Sequence, residues 1–444
     1  MKRIAIFAGI VCTLIAVKVS AQTTNRYSLQ QCIDTALANN IQVKQNGLLA
    51  EAAGVNLKQA RANTLPDLNA EFNHGINQGR SIDPFTNTYV DQSVNYAGYG
   101  INSGIVLFNG LSLQKAIRQN AYAFDASRME LQQAKDNLTL NVILAYLQVL
   151  NNEDLLLAAV KQKELSAKQL ERLEILDRQG AISPALASDV KGQLMNDELT
   201  ILNLRNSLET AKLALAQLMN VPYDTGIALE RINAEEFLTA YPKNSSDVYQ
   251  TALQHFSLIK SVELRKRSAE YALQSAKGFL FPALVLGGGM QTNYSSVAQN
   301  MAGKIPYNDQ VKNNIFYTIN LGLRLPIFNS FRTKNTIKLA DIAVRNSDLI
   351  QENTKLQLRQ QIEQAHLTMS NAYERYKTLV EQVAAYTISF KAAEARFSAG
   401  VGTSVDYLIA KNNLDRSNIN LISAKYDFVL RKKVLDYYQN AAAK

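Results

Sequence analysis

Thr35-Ala36-Leu37, Lys44, Leu48, Ala53, Leu57, Ala60, Pro66 and Leu68 return in the same order as Thr251-Ala252-Leu253, Lys260, Leu264, Ala269, Leu273, Ala276, Pro282 and Leu284, every pair 216 residues apart. Further along the offset becomes 220. Phe108-Asn109, Ile117, Leu138, Ala145, Asn151, Glu174 and Gly180 return as Phe328-Asn329, Ile337, Leu358, Ala365, Asn371, Glu394 and Gly400. Solenoid repeats run at roughly 20–50 residues, so this period marks a duplicated half-protein. Whatever one half builds, the chain builds twice.

Each copy changes its hydrophobic period in the same order. A helical stretch from Ser28 to about Thr64 ends before Pro66, and alternation follows. Leu68, Ala70, Phe72, His74 and Ile76 alternate with polar or small residues, and so do Tyr99, Ile101, Ser103, Ile105 and Leu107. The second copy repeats this with Leu284, Leu286 and Met290, then with Ile315, Tyr317, Ile319, Leu321, Leu323 and Leu325. A long polar loop separates the runs in each copy, Ser81 to Asn95 in the first. Each run has about the 9–11 residues of a tilted transmembrane strand, apolar on one face and polar or Gly-lined on the other. Alternation by itself fits a soluble sheet with one wet face equally well.

The helices decide between these. Leu358, Ile362, Ala365, Met369, Ala372, Tyr376, Leu379, Val383, Tyr386, Phe390, Ala393 and Phe397 step by four and three without a miss, a heptad seam that implies left-handed supercoiling. In the first copy Leu138, Val142, Ala145, Val149, Leu156, Ala159, Leu170 and Leu173 hold the same places, with Asn152, Lys163, Ser166 and Asp177 interrupting. No proline stands between Gly110 and Gln179 or between Ser330 and Ala399, so each seam predicts a helix of roughly 100 Å. Gly180 and Gly400 stop these helices, and return helices follow over Ala185 to Met219 and Val405 to Gln439. Asn220 to Ser246, polar and with Pro222 and Pro242, reads as a connecting segment packed outside the helices.

Residues 1–21 read as an export signal: Lys2 and Arg3, an apolar run from Ile4 to Ala16, then Val19-Ser20-Ala21 before Gln22. Removing its three basic residues leaves 44 Lys and Arg against 38 Asp and Glu, a net charge of +6 spread without a basic block. That distribution points to no nucleic-acid partner. The mature chain keeps one thiol, Cys32, which excludes an internal disulfide. No apolar stretch of about 20 residues follows the signal, so any membrane contact is assigned to strands. Four strands cannot close a barrel, for which about eight is the minimum, so several chains must share one. His74, His255 and His366 stand isolated, and Gly287-Gly288-Gly289 lacks the Lys and Ser/Thr of a phosphate loop. No catalytic residues, metal site or cofactor are expected.

An export signal followed by two copies of helix, hairpin, long helix, glycine turn and return helix resembles the TolC family of outer membrane factors across the whole mature chain. The most specific stretch is Phe397-Ser398-Ala399-Gly400-Val401-Gly402-Thr403-Ser404-Val405-Asp406-Tyr407-Leu408, similar to the family's glycine turn followed by a Val-Asp-x-Leu step. The resemblance implies a mainly α protein with a β-barrel part. Two structural repeats, 22–219 and 247–444, flank an equatorial segment, 220–246. A homotrimer would share one 12-stranded transmembrane β-barrel and one long-helix, coiled-coil-like α-barrel. It implies an exit duct in the cell outer membrane, surrounded by outer membrane lipid, with a long periplasmic portion. Its implied partners are a periplasmic adaptor (membrane fusion protein) and an inner-membrane transporter of RND or ABC type, in a tripartite efflux or type I secretion system. The alternatives are a periplasmic adaptor, which would carry one helical hairpin beside a small β-domain, and a structural coiled-coil protein, which leaves the signal and the alternating runs unexplained.

The resemblance also implies sites. Asp406 takes the place of an inward aspartate that rings the periplasmic constriction; the competing reading is that it caps the return helix. Ile409 stands where a second ring aspartate can occur, and Gly402 where a gate-holding basic residue can. Phe397 lies at the turn where the tube must narrow. Leu186 holds the equivalent of Asp406 in the first copy, with Asp189 three residues on, and no gate role carries to either. The turns Gln179, Gly180, Ala181, Ile182 and Ser183, and Ala399, Gly400, Val401, Gly402 and Thr403, take the position where the adaptor docks.

Overall fold

The computed structural model describes residues 26–82, 87–91, 93–232 and 238–439; the export signal lies outside them. Strand β1 (Arg26–Tyr27) leads into α1 (Leu29–Asn39) and α2 (Ile41–Ala62). Strands β2 (Asn69–Asn77), β3 (Arg80–Ile82), β4 (Tyr89–Asp91) and β5 (Val94–Phe108) come next, then the long helix α3 (Ser112–Arg178) and its return α4 (Pro184–Met219). After β6 (Ala228–Leu229) the plan repeats as α5 (Ser245–His255), α6 (Ser257–Gly278), β7 (Ala283–Ser295), β8 (Gln299–Asn300) and β9 (Gly303–Lys304). A short helix α7 (Tyr307–Asn313), β10 (Phe316–Arg324), long α8 (Arg332–Ser398) and α9 (Ser404–Tyr438) complete it. Both long helices have 67 residues and begin 220 residues apart.

Three elements differ from the sequence expectation. The first helix is two, because Asn40 leaves helical geometry (ψ 123°) and its side chain accepts from the Val43 amide, capping α2. Its counterpart Phe256 makes the same break (ψ 124°); the cap on α6 comes from α3, Gln133 Oε1 accepting from the Leu258 N–H (3.0 Å), and the buried Phe256 ring packs edge-on against Tyr437. The loops between the strands are not plain: the first copy's pairs β3 with β4, and the second copy's holds the β8–β9 hairpin and α7. Lastly, α3 does contain a window apolar enough in composition to cross a membrane, yet more than half of it is buried inside the protein.

Two compact units make up the chain. In the helical unit (26–44, 134–256 and 358–439 of the described residues) every position of the α8 seam that falls there is buried or half-buried. The connecting segment contributes β6, which pairs parallel with β1, and buries Ile227 and Leu229. Tyr146 of α3, fully buried, donates its hydroxyl to the Glu230 carbonyl at 2.5 Å.

In the other unit (45–133 and 257–357) the four long strands form one antiparallel sheet in the order β10-β7-β5-β2, so the two copies meet along β5 and β7. Ser112 and Ser275 share a buried hydrogen bond of 3.0 Å where α3 meets α6, and Arg265 of α6 forms a two-pronged ion pair with Glu130 of α3.

Candidate functional site

Register turns alternation into surfaces. Phe72 faces Tyr99, which faces Thr292; Ala70 faces Ile101, which faces Met290, which faces Tyr317. Ile105, Leu286 and Leu321 form the next apolar row. Because side chains point alternately, the other face carries Asn69, Asn102, Gly289 and Thr318 in one row and Gly104, Gly287 and Asn320 in another. The sheet thus has one apolar and one polar face. Tyr317, Ile319, Leu321 and Leu323 are all exposed, as a surface made for lipid requires. Strands β2 and β10 are edges on which one side of the backbone has no strand partner among the described residues.

The second candidate region is the glycine-turn end of the helical unit. Gly180 (φ +68°) and Gly400 (φ +75°) occupy the left-handed region that closes a helix. Ala181 N–H bonds back to the Leu176 carbonyl and Val401 N–H to that of Arg396. Ser183 then caps α4, with Pro184 in its first turn, and Thr403 caps α9. Gln179, Gly180, Ala181, Ser183, Ala399, Gly400, Val401 and Thr403 are exposed, whereas Ile182 packs against Leu170, Leu173 and Val190. At Gly402 a Cβ would lie 3.0 Å from the Phe397 backbone nitrogen and 3.2 Å from the Arg396 carbonyl carbon. A side chain there requires the neighbouring backbone to give by a few tenths of an ångström.

Asp406 is exposed, and it also caps. Its N–H donates to Thr403 Oγ1 (3.1 Å), and its carboxylate accepts from the same hydroxyl (2.8 Å). One carboxylate oxygen remains outside that pair. Ile409 is exposed on the next turn, with Val405 and Val401 beside it in sequence spacing. The Phe397 ring, half-buried, stacks on Tyr407 at 5.0 Å and packs against Leu170, Leu173 and Val190, so it contributes to the core that joins the two copies at this end.

Sequence reasoning missed the polar links between copies. Arg172 of α3 donates to the Ser398 hydroxyl (3.0 Å) and carbonyl (3.1 Å), and Ser404 donates to Asp189 (3.0 Å). Deeper in, Lys411 of α9, only 2% exposed, is held by Asp197 of α4 (3.2 Å) and Asp415 (2.5 Å). Ser166 of α3 donates to the same Asp197 at 2.5 Å, and Gln193 to its other oxygen at 2.7 Å. Burial raises the Asp415 carboxyl above the usual carboxylate range even with Lys411 beside it. One signal was visible: Ser166 interrupts the α3 seam at the level where this charge cluster sits. Among the described residues no group of His, Cys, Asp or Glu is placed to hold a metal ion.

Comparisons with known proteins converge. The family model for "Outer membrane efflux protein" matches residues 32–221 and 248–435. The outer membrane protein TolC of Escherichia coli K12 is 22% identical over 417 residues, spanning 91% of this chain and 80% of that one. The TolC of Vibrio cholerae is 23% identical over 412 residues, 91% and 88% of the two chains. Among solved structures, the Campylobacter jejuni CmeC outer membrane channel superimposes with a TM-score of 0.78 at 18% identity, covering 93% of this chain and 86% of its own. Vibrio cholerae VceC gives 0.78 at 17% identity, covering 93% and 95%.

Proposed function

We propose, from the premise that this chain belongs to the outer membrane efflux protein family, that three copies assemble into one passive exit duct. The protein is an outer membrane efflux channel with a long periplasmic portion, and its family is one of channels, not an enzyme class. The observation that carries the trimer is the four-stranded sheet with one apolar face, one polar face and two bare edges. Four strands are half of the smallest closed barrel, and an unpaired edge in lipid costs several kcal/mol per backbone group. Strands β2 and β10 run in opposite directions, so β2 of one copy meets β10 of the next antiparallel. Alternation then continues unbroken around twelve strands, polar face inward.

In this reading residues 22–219 and 247–444 are the two repeats, 220–246 belongs to an equatorial belt, and residues 1–21 are removed on export. The duct itself supplies no energy. A periplasmic adaptor docks on the exposed turns Gln179 to Ser183 and Ala399 to Thr403, and connects them to an inner-membrane transporter of RND or ABC type. Three copies of Asp406 ring the closed end, each with the carboxylate oxygen not committed to Thr403, and Ile409 narrows the same level. Opening separates the second copy's turn from the first, which breaks the Arg172–Ser398 and Ser404–Asp189 contacts. The assembly is tested by extraction from outer membranes. A detergent-stable trimer is expected; a monodisperse, water-soluble monomer after signal removal would overturn the reading.

A further inference from the structure

The connection between β7 and β10 does more than link strands. Helix α7 folds down over the apolar face of the sheet and is pinned there. Gln310, 1% exposed, accepts from the Ser295 N–H (2.9 Å) and donates to the carbonyls of Ser295 (3.0 Å) and Ile305 (2.8 Å). Thr292, on the apolar face, donates to the Val311 carbonyl at 2.7 Å, and Asn314 donates to the Asn293 carbonyl at 2.9 Å. The hydroxyls of Tyr99 and Tyr307 are hydrogen-bonded, and the Tyr307 ring packs 4.7 Å from that of Tyr294. A surface loop with no task beyond joining strands does not need a buried glutamine spending three hydrogen bonds on its position.

Between α7 and the sheet this leaves a cavity of 340 Å³, lined chiefly by Phe72, Tyr99, Ile101, Met290 and Val311, with Lys312 the one charged residue among the described lining residues. The volume is at the lower end of the range for ligand pockets. Its position excludes most ligands. The cavity opens on the face that the trimer turns toward lipid, over the central strands β5 and β7 and the edge strand β2. It lies at the hairpin end remote from α3 and α8, where outer membrane barrels carry their longer, outward connections.

We infer that this cavity is a seat for one acyl chain of an anionic lipid of the outer leaflet, with Lys312 meeting the phosphate of its headgroup. The inference rests on the membrane placement of the sheet proposed above. A carbon-lined slot beside a single cation matches the two parts of such a lipid, and a neutral peptide or a soluble anion satisfies only one of them. Bulk lipid wets the rest of the apolar face without order; here α7 fixes the walls in advance, so the chain is held with little further ordering cost.

The test uses the purified trimer in phosphatidylethanolamine nanodiscs doped with a phosphatidylglycerol that carries a diazirine on its acyl chain. After irradiation, adducts are mapped by peptide mass spectrometry. Labelling of the Met290 and Val311 peptides is expected to exceed that of Leu321 and Leu323, which share the apolar face without a helix above them, by several-fold. Val311→Trp fills the slot and should remove the excess while leaving Leu321 and Leu323 labelled. Lys312→Gln should abolish the preference for the phosphatidylglycerol probe over a zwitterionic phosphatidylcholine probe. Equal labelling at all four positions overturns the seat and leaves the membrane-facing sheet intact. Absence of label at Leu321 and Leu323 as well overturns the membrane placement, and the seat with it.

Discussion

The two long helices have the same length, start and seam, yet they are buried differently. Leu138, Val142 and Val149 of α3 and their counterparts Leu358, Ile362 and Met369 of α8 are all buried. One step off the seam the copies part. Ile143, Tyr146, Leu147 and Leu150 are buried, whereas the matching Glu363, Leu367 and Ser370 are exposed and His366 is half-buried. Tyr146 reaches the Glu230 carbonyl; His366 reaches that of Lys243, 3.2 Å away. Duplication therefore preserved the face by which each long helix packs on its neighbours. Divergence off the seam decided which copy is clad a second time. The charge cluster obeys the same lesson, since the positions matching Ser166, Asp197 and Lys411 in the other copy are Tyr386, Ser417 and Lys191.

That asymmetry can be broken at four places. The largest effect is expected at Lys411, which leaves two carboxylates uncompensated when removed. Lys411→Ala should cost about 3–5 kcal/mol in urea melts of the trimer, while Lys411→Met with Asp197→Leu and Asp415→Leu should recover most of it. A loss under 1 kcal/mol in the single variant would show that the cluster does not join the copies.

The Tyr146 and His366 pair measures the cladding directly. Tyr146→Phe removes, from a fully buried ring, the hydroxyl that reaches the Glu230 and Tyr27 carbonyls and should cost about 1–3 kcal/mol, while His366→Ala, at a half-buried site, should stay within about 0.5 kcal/mol. Equal losses would erase the distinction between the helices.

At the turns both glycines hold positive φ, and an added Cβ meets no other atom within 4 Å. Gly180→Ala and Gly400→Ala should each cost about 1–2 kcal/mol from backbone strain. Gly180→Glu or Gly400→Glu should also stop transport in cells while trimer yield stays near wild type, because the turns lie outside the strand sheet. Normal export by both variants would reject docking at the turns.

Asp406→Asn sharpens the comparison most finely. Asparagine caps about as well as aspartate, so stability should hold within a few tenths of a kcal/mol. A ring of three carboxylates predicts weaker cation preference and weaker block by multivalent cations in planar-bilayer conductance. Unchanged conductance would leave Asp406 as the capping partner of Thr403 and nothing more.

The parts of this protein legible in its sequence are those governed by one residue's local geometry or by a fixed period. The two copies, the seam from Leu358 to Phe397, the alternation of the four strands and the stops at Gly180 and Gly400 all belong there, since period and chirality act within a few residues. The break at Asn40 was half-visible, because asparagine is a capping residue; the break at Phe256 was not, because the groups that meet it, Gln133 on the Leu258 N–H and Tyr437 on the ring, are distant in sequence. Tertiary structure alone decided the pairing of β5 with β7, the pinning of α7 by Gln310 and the packing of Phe397 against Leu170 and Val190. It also decided the meeting of Ser166, Asp197 and Lys411. Each of these joins residues from 15 to over 240 positions apart, and no local preference reports on a partner that arrives only when the chain has folded.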